Sequence, residues 1–352
     1  MRIVPFSPSS STTAQVDAWY DLKRNLRLEI LPDEPVFSKD TLVKRVESMK
    51  AIQESKRWCI WASEGSTMAG LAGIYRSTDG SEDEPVWLSI EVNPSFRRKG
   101  IGLALLKKLT EVASERGWES LQVRTCDRSR SGERFIEKTG AEKLLTSFTN
   151  RLAINNIDKH LLSRWLQLPP GNQSITIGEW SGFFPEERIQ EISDFYQTVY
   201  EAGREQHGHS GFNFSPERVR KGEKIALTGN RKRHVVFATA KKTDRLLGLT
   251  EVSWSEPEPS VVSQGYTAVL PVARGRGIAR RLKAEIILKL PDYNQKARWI
   301  RTGNAGNNHT ILKINTELGF SRLLTATVWK VKTAEVVSKL HVNTGNCGLQ
   351  PD

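Results

Sequence analysis

The sequence predicts an α/β protein with mixed sheets, built as two tandem domains of one kind. Three observations predict it. A β-rich stretch runs into a short basic glycine loop and then an amphipathic helix. The same order occurs a second time at a fixed spacing. The chain has 352 residues, long for one compact core. In the later copy, Gln264 to Leu270 is rich in strand formers and ends at Pro271, which cannot donate to a sheet ladder. Arg274-Gly275-Arg276-Gly277 follows, and then Ile278, Leu282, Ile286 and Leu290 recur every four residues, a helical stripe expected to stop at Pro291.

The first turn of such a helix carries backbone N–H groups without intrahelical partners, and the helix dipole makes that end partly positive. Gly277 has no Cβ and Ala279 only a methyl group, so an anion can approach the amides, with Arg274 and Arg276 adding charge. Taken alone, the same residues also describe an ordinary turn with solvated arginines. The earlier copy reads Val92-Asn93-Pro94 and then Arg97-Arg98-Lys99-Gly100-Ile101-Gly102. The offsets 271 − 94, 274 − 97, 277 − 100 and 302 − 125 all equal 177 (Pro94, Arg97, Gly100 and Thr125 against Pro271, Arg274, Gly277 and Thr302). An offset held from loop through helix into the next strand marks a duplication.

Strand, Arg-x-x-Gly-x-Gly/Ala, helix, strand, helix and a final Gly-Phe or Gly-Ala resemble the acetyl-CoA site of the GNAT superfamily of N-acetyltransferases. Two copies resemble the tandem GNAT arrangement, of which mycothiol synthase is one example. The C-terminal copy carries more of the pattern, with Gly265-Tyr266-Thr267-Ala268-Val269, Leu282-Lys283, Thr302-Gly303-Asn304-Ala305, Asn308, Asn315 and Leu318-Gly319-Phe320. The resemblance implies acetyl-CoA as acyl donor and a primary amine of a small molecule as acceptor, with catalysis in the C-terminal copy. It implies cofactor contacts at Val269, Arg274, Gly275, Arg276, Gly277, Ile278, Ala279, Asn304 and Asn308. In the first copy the corresponding residues are Val92, Arg97, Arg98, Lys99, Gly100, Ile101 and Gly102. It also implies that the strand after the central helix splays from its neighbour and leaves a gap for the acyl arm. A tyrosine often precedes the final Gly-Phe in the family; here Asn315 and Ile136 stand there, and an amide cannot deliver a proton.

The elements follow in order. Residues 2–6 read as a strand, and Val16, Trp19, Leu22 and Leu26 as a helical stripe after a cap-rich Ser9 to Thr13. A second helix fits Ser38 to Met49, with Ser38 as N-cap. Strands are expected at 57–62 and 70–75, joined by a turn at Glu64-Gly65-Ser66, and at Trp87 to Val92 after an acidic loop at 77–84. Glu91 on that strand is either a base for an incoming amine or a partner for nearby arginines. A strand at 121–125, a helix at 133–138 and a closing strand at 142–154 complete a first domain, 1–156. Residues 157–173 read as a linker helix and a break at Pro169-Pro170-Gly171-Asn172. The second domain, 174–333, has a strand at 174–177, a helix at 186–200, a hairpin at 234–240 and 246–254, a strand at 297–302, and Val328 to Val331 closing its sheet. Residues 334–352 form a tail. Glu251 lies mid-strand and is the general-base candidate, with Asn304 as the second catalytic candidate. His207 and His209 lack further ligands at zinc spacing, so no metal is expected and a mobile acceptor-site loop is preferred.

Hydrophobic content of 38% and a mean hydropathy of −0.45 fit a globular chain, and no apolar run approaches the ~20 residues of a membrane helix. The start lacks a signal-peptide pattern, and Cys59, Cys126 and Cys347 read as reduced cytoplasmic thiols. A net charge of +12 favours anionic partners, for which coenzyme A suffices; no nucleic-acid motif accompanies it. Three other readings stay open: a CoA-binding regulatory module without turnover, transfer from an aminoacyl-tRNA, and a protein amine as acceptor. No residue pattern names the acceptor.

Overall fold

A computed structural model of the chain describes residues 1–50, 53–62, 66–78, 85–167, 174–203, 213–227, 230–336 and 338. The turn at Glu64-Gly65, most of the acidic loop, the Pro169 to Asn172 break, the stretch with His207 and His209, Cys347 and the end of the tail lie outside these residues. The chain divides into two compact units, Met1–Thr146 with Thr325–Asp352, and Ser147–Leu324.

Unit 1 contains β1 (Ile3–Pro5), α1 (Thr13–Ile30), α2 (Lys39–Met49), β2 (Gln53–Ala62), β3 (Thr67–Ser77), β4 (Trp87–Val92), α3 (Ile101–Glu115), β5 (Ser120–Cys126) and α4 (Arg130–Glu137). Thr12 caps α1 in a capping box with Gln15, and Ser38 accepts from the Thr41 N–H at the start of α2. The sheet runs β1-β2-β3-β4-β5 and ends on residues 325–332 of the last strand, β12 (Ser321–Lys332). All neighbours are antiparallel except β4 and β5. Leu105, Leu106 and Leu109 of α3 are fully buried against one face, and Trp19 and Leu22 of α1 cluster with Cys59, Met68 and Leu71 of β2 and β3. Covered on both sides, β3 is buried without a break from Met68 to Ile74, so it shows no alternation.

Unit 2 repeats the plan. It contains part of β6 (Glu142–Ala153), α5 (Lys159–Leu166), β7 (Ile175–Ser181), α6 (Ile189–Glu201), α7 (Pro216–Leu227), β8 (Arg231–Ala240), β9 (Leu246–Ser255), β10 (Glu258–Val269), α8 (Ile278–Tyr293), β11 (Trp299–Ala305) and α9 (His309–Glu317). Its sheet runs β7-β8-β9-β10-β11 and ends on residues 147–153 of β6, with only β10 and β11 parallel.

The closing strands differ from expectation. Residues 147–153 close the sheet of unit 2, and residues 325–332 close that of unit 1. The compact units therefore do not follow the expected contiguous spans 1–156 and 174–333. Packing accounts for the exchange: Trp329 and Val331 are buried in the core of unit 1, where the Trp329 indole N–H donates to Thr125 Oγ1 at 2.8 Å. Leu152 is buried in unit 2 with Ile300 and Phe320. Two further expectations change. α8 continues past Pro291 to Tyr293, with the Asn294 N–H donating to the Leu290 carbonyl, because a proline in the last turn removes only one donor. α7 was not anticipated; its sequence is dominated by charge, and Val219 is its one buried apolar residue.

Candidate active site

Each unit presents a helix N-terminus at the end of a strand. In unit 1, Pro94–Phe96 forms a 3-10 turn, and Gly100 caps α3 at φ 77°, ψ −4°. In unit 2, Pro271–Ala273 forms the same turn, and Gly277 caps α8 at φ 77°, ψ −1°. Both caps are left-handed, a conformation costly for residues with a Cβ. Neither helix has a capping side chain or an acid in its first turn, so the N–H groups and the positive dipole end remain available to an anion. Arg274 is exposed, donates from Nε to the Val269 carbonyl at 3.3 Å, and has no carboxylate partner among the described residues. Arg97 instead forms a two-pronged ion pair with Glu29 of α1, at 2.7 and 2.5 Å. Arg98 and Lys99 are exposed, and Lys99 stands over the Phe96 ring. Ile101 and Ile278 are buried and anchor the two helices. Gly70 permits the first close approach, since a Cβ there would lie 2.7 Å from Ile101 Cγ2.

Beside each loop the parallel strand pair separates. In unit 1, β4 and β5 pair at Trp87–Gln122 alone, although β4 runs on to Val92. In unit 2, β10 and β11 pair from Val261–Trp299 to Gln264–Thr302 and no further. The divergence in unit 2 has a local cause. Gln264 faces Val252 and Thr267 faces Thr250, so Gly265 and Tyr266 together oppose Glu251: a β-bulge, which bends β10. Gly265 is required there, because a Cβ would collide with the Glu251 carboxylate. The Tyr266 N–H donates to Glu251 Oε1 at 3.2 Å. β4 shows no such irregularity against β3.

Glu251 is thus held at the bulge, and its second oxygen accepts from Arg233 Nε at 2.7 Å. Arg233, 5% exposed, also donates to Glu223 of α7 at 3.0 Å. Arg233 lies in the basic run Arg231-Lys232-Arg233, yet it is a buried hub between two carboxylates. Asn304 and Asn315 come together, the Asn315 amide donating to Asn304 Oδ1 at 2.9 Å, while the buried Asn315 Oδ1 has no partner. Asn308 caps α9 by accepting from the Ile311 N–H. In unit 1, Glu91 is held by Lys23 at 2.6 Å. Sequence reasoning missed Lys283: it is 1% exposed on α8, donates to Gln264 Oε1 at 2.7 Å, and burial pulls its pKa down to about 7. The signal was present in the duplication, because the offset of 177 sets Leu106 against Lys283 and Trp87 against Gln264.

A family model described as the acetyltransferase (GNAT) family matches residues 17–141. A tandem GNAT protein from the clavulanic acid biosynthesis pathway has a similar structure, with TM-score 0.76 and 19% identity, covering 94% of this chain and 98% of that one. Residues 17–141 thus match the GNAT family, and the chain as a whole has the fold of a tandem GNAT protein. A GCN5-related N-acetyltransferase from Sphaerobacter thermophilus is also similar (TM-score 0.66, 15% identity, 94% and 95% coverage). A search of curated sequences finds no significant match. The family match lies in the first copy, whereas the second carries more of the motif residues quoted above. GNAT proteins are acyltransferases, and this fold supports acyl-CoA-dependent N-acyltransfer. The open helix ends, the separated strands and the unpartnered Asn315 oxygen fit an acyl-CoA. No helix among the described residues is long and apolar enough to cross a membrane.

Proposed function

We propose that the protein is an acetyl-CoA-dependent N-acetyltransferase acting on a primary amine of a small molecule, with turnover in unit 2. One observation carries this reading. The bulged gap between β10 and β11 opens beside a glycine-capped helix whose Arg274 has no competing acid among the described residues. Acetyl-CoA supplies an activated thioester carbonyl. The loop from Val269 to Ala279 is suited to its phosphates, and the freed edges of β10 and β11 to its amide-bearing arm. Glu251, at the bulge, is the carboxylate we assign to accept the proton of the attacking amine, and Asn304 the group we assign to orient the acyl carbonyl. Holding amine and thioester together supplies much of the rate, and the reading needs no covalent protein nucleophile. We also assign the protein to the cytoplasm, a reading supported by the unpaired thiols of Cys59 and Cys126, both raised in pKa by burial.

A second reading places turnover in unit 1. It is favoured by a cavity of about 390 Å³ that touches Glu91 on the separated part of β4. Calorimetric titration of acetyl-CoA, paired with acetyl transfer to an amine panel, separates the two. The proteins compared are wild type, Arg97→Glu/Gly100→Glu and Arg274→Glu/Gly277→Glu. Turnover lost only in the last variant is the expected result. Turnover lost only in the first moves catalysis to unit 1, and no acetyl-CoA binding by wild type overturns the enzymatic reading.

A further inference from the structure

The cavity in unit 1 has walls that specify a ligand. Its apolar lining includes Trp19, Leu26, Phe37 and Met49. Its charged lining is four cations, Lys23, Arg27, Arg45 and Arg57, against the single carboxylate of Glu91. Two of the cations are neutralised within the protein. Lys23 binds Glu91 at 2.6 Å, and Arg27 binds the buried Glu34 at 2.9 Å. Arg45 and Arg57 have no ion-pair partner among the described residues. Arg45 lies over the Phe37 ring, 5.8 Å from its centre. Arg57 is half-buried on β2, and the carboxylates acting on it from further away, Glu91 and Glu47, are already bound by Lys23 and Lys50. Burial lowers the pKa of Arg57, yet a guanidinium stays charged.

A half-buried cation without a counter-ion is costly, and an anion that reaches it from an apolar cavity is bound strongly for the same reason. We infer that this cavity binds a small organic anion, an apolar body carrying a carboxylate, through Arg45 and Arg57. The volume lies in the range of small-molecule sites, ~300–1,000 Å³. A ligand carrying only positive charge meets an excess of like charge, so polyamines and polyamine-like compounds are disfavoured. The inference concerns binding alone and holds whichever unit turns over.

The test is calorimetric titration of the full-length protein at low salt with 3-phenylpropionate, its neutral amide 3-phenylpropionamide, and succinate, which has charge but no apolar body. The phenyl acid is expected to bind at least tenfold tighter than the other two. Arg45→Gln/Arg57→Gln is expected to remove that preference, and Arg45→Lys/Arg57→Lys, which keeps the charge, to retain most of it. Equal binding of acid and amide, no binding of any probe, or an undiminished preference in the glutamine variant overturns the inference. Displacement of the acid by saturating acetyl-CoA also overturns it, because the cavity would then belong to the acyl arm. Acid binding in a protein that binds no acetyl-CoA leaves this inference standing and removes the acetyltransferase reading.

Discussion

Asn93 to Gly100 in unit 1 and Leu270 to Gly277 in unit 2 follow one backbone path. Arg97 stands at φ −65°, ψ 159° and Arg274 at φ −67°, ψ 162°, and the capping glycines share φ 77°. Around that common path almost every charged group differs. Arg97 is held by Glu29, while Arg274 has no acid partner among the described residues. β10 is bulged opposite Glu251, while β4 is regular and has Gly73 opposite Ser89. Lys283 and Gln264 are buried together where unit 1 has Leu106 and Trp87. Duplication has kept the backbone that presents N–H groups and has let the side chains that use them diverge. The two copies thus serve as controls for each other.

The largest expected effect tests the buried charges. Arg233→Met leaves the half-buried Glu251 without its cation and the buried Glu223 with Arg220 alone. Breaking such a pair costs about 3–5 kcal/mol, so a clear fall in the thermal midpoint is expected. Arg57→Met in unit 1 removes a half-buried cation with no ion-pair partner among the described residues, and is expected to leave stability unchanged or to raise it by up to about 1 kcal/mol. Thermal scans of both variants settle this, and equal losses would erase the contrast.

Much of the contrast could not be read from the chain. The loops, the helices they open and the duplication were legible because they rest on local rules: proline at a strand end, glycine at a left-handed cap, apolar residues every four positions. Glu251 was legible as a charge inside a β-rich run. Its partner Arg233 was not, since it lies 18 residues away in a basic run that looks solvated. The bulge at Gly265 and Tyr266 is a property of register between two strands, which one strand cannot reveal. The exchange of closing strands was hidden for a similar reason, because either strand has the length and pattern to close either sheet.

The second prediction uses Lys283. Its folded pKa is about 7, against ~10.4 for a free lysine. Between these values the unfolded chain holds a proton that the folded chain lacks, so stability rises with pH, by at most about 1.4 kcal/mol per pH unit. The penalty of a buried ammonium is full below pH 7 and is relieved on going up. Lys283→Met is expected to flatten this slope, and Leu106→Met at the matching place in unit 1 to leave it intact. Urea midpoints at pH 7, 8 and 9 measure it; a slope unchanged in Lys283→Met contradicts the assignment.

The third is a reciprocal exchange within the loops. Arg98 holds a left-handed φ of 62° where Gly275, 177 residues on, holds 77°. Arg98→Gly should remove strain of about 1 kcal/mol, and Gly275→Arg should add as much, because a Cβ at Gly275 meets nothing within 4 Å and strain is its main effect. Denaturant midpoints that move in the same direction would show that the two loops are not equivalent.

The smallest stability effect carries the most functional information. The Glu29–Arg97 pair is partly exposed, at 32% and 28% for the two side chains, so Glu29→Gln should change stability by less than about 1 kcal/mol. Its effect on acyl-CoA binding should be larger. Glu29 holds the pKa of its carboxyl below the usual range through its hydrogen bonds with Arg97, so it stays ionised at neutral pH and competes with any phosphate for that guanidinium. Removing its charge makes Arg97 resemble Arg274. A several-fold gain in acetyl-CoA affinity at unit 1, measured in the Arg274→Glu/Gly277→Glu background so that only one site reports, is the expected outcome. The gain should shrink as salt rises, because exposed charges are screened over about 10 Å at 0.1 M. An unchanged affinity would mean that the ion pair does not separate the two loops, and the functional difference would then rest on the bulge and Glu251 alone.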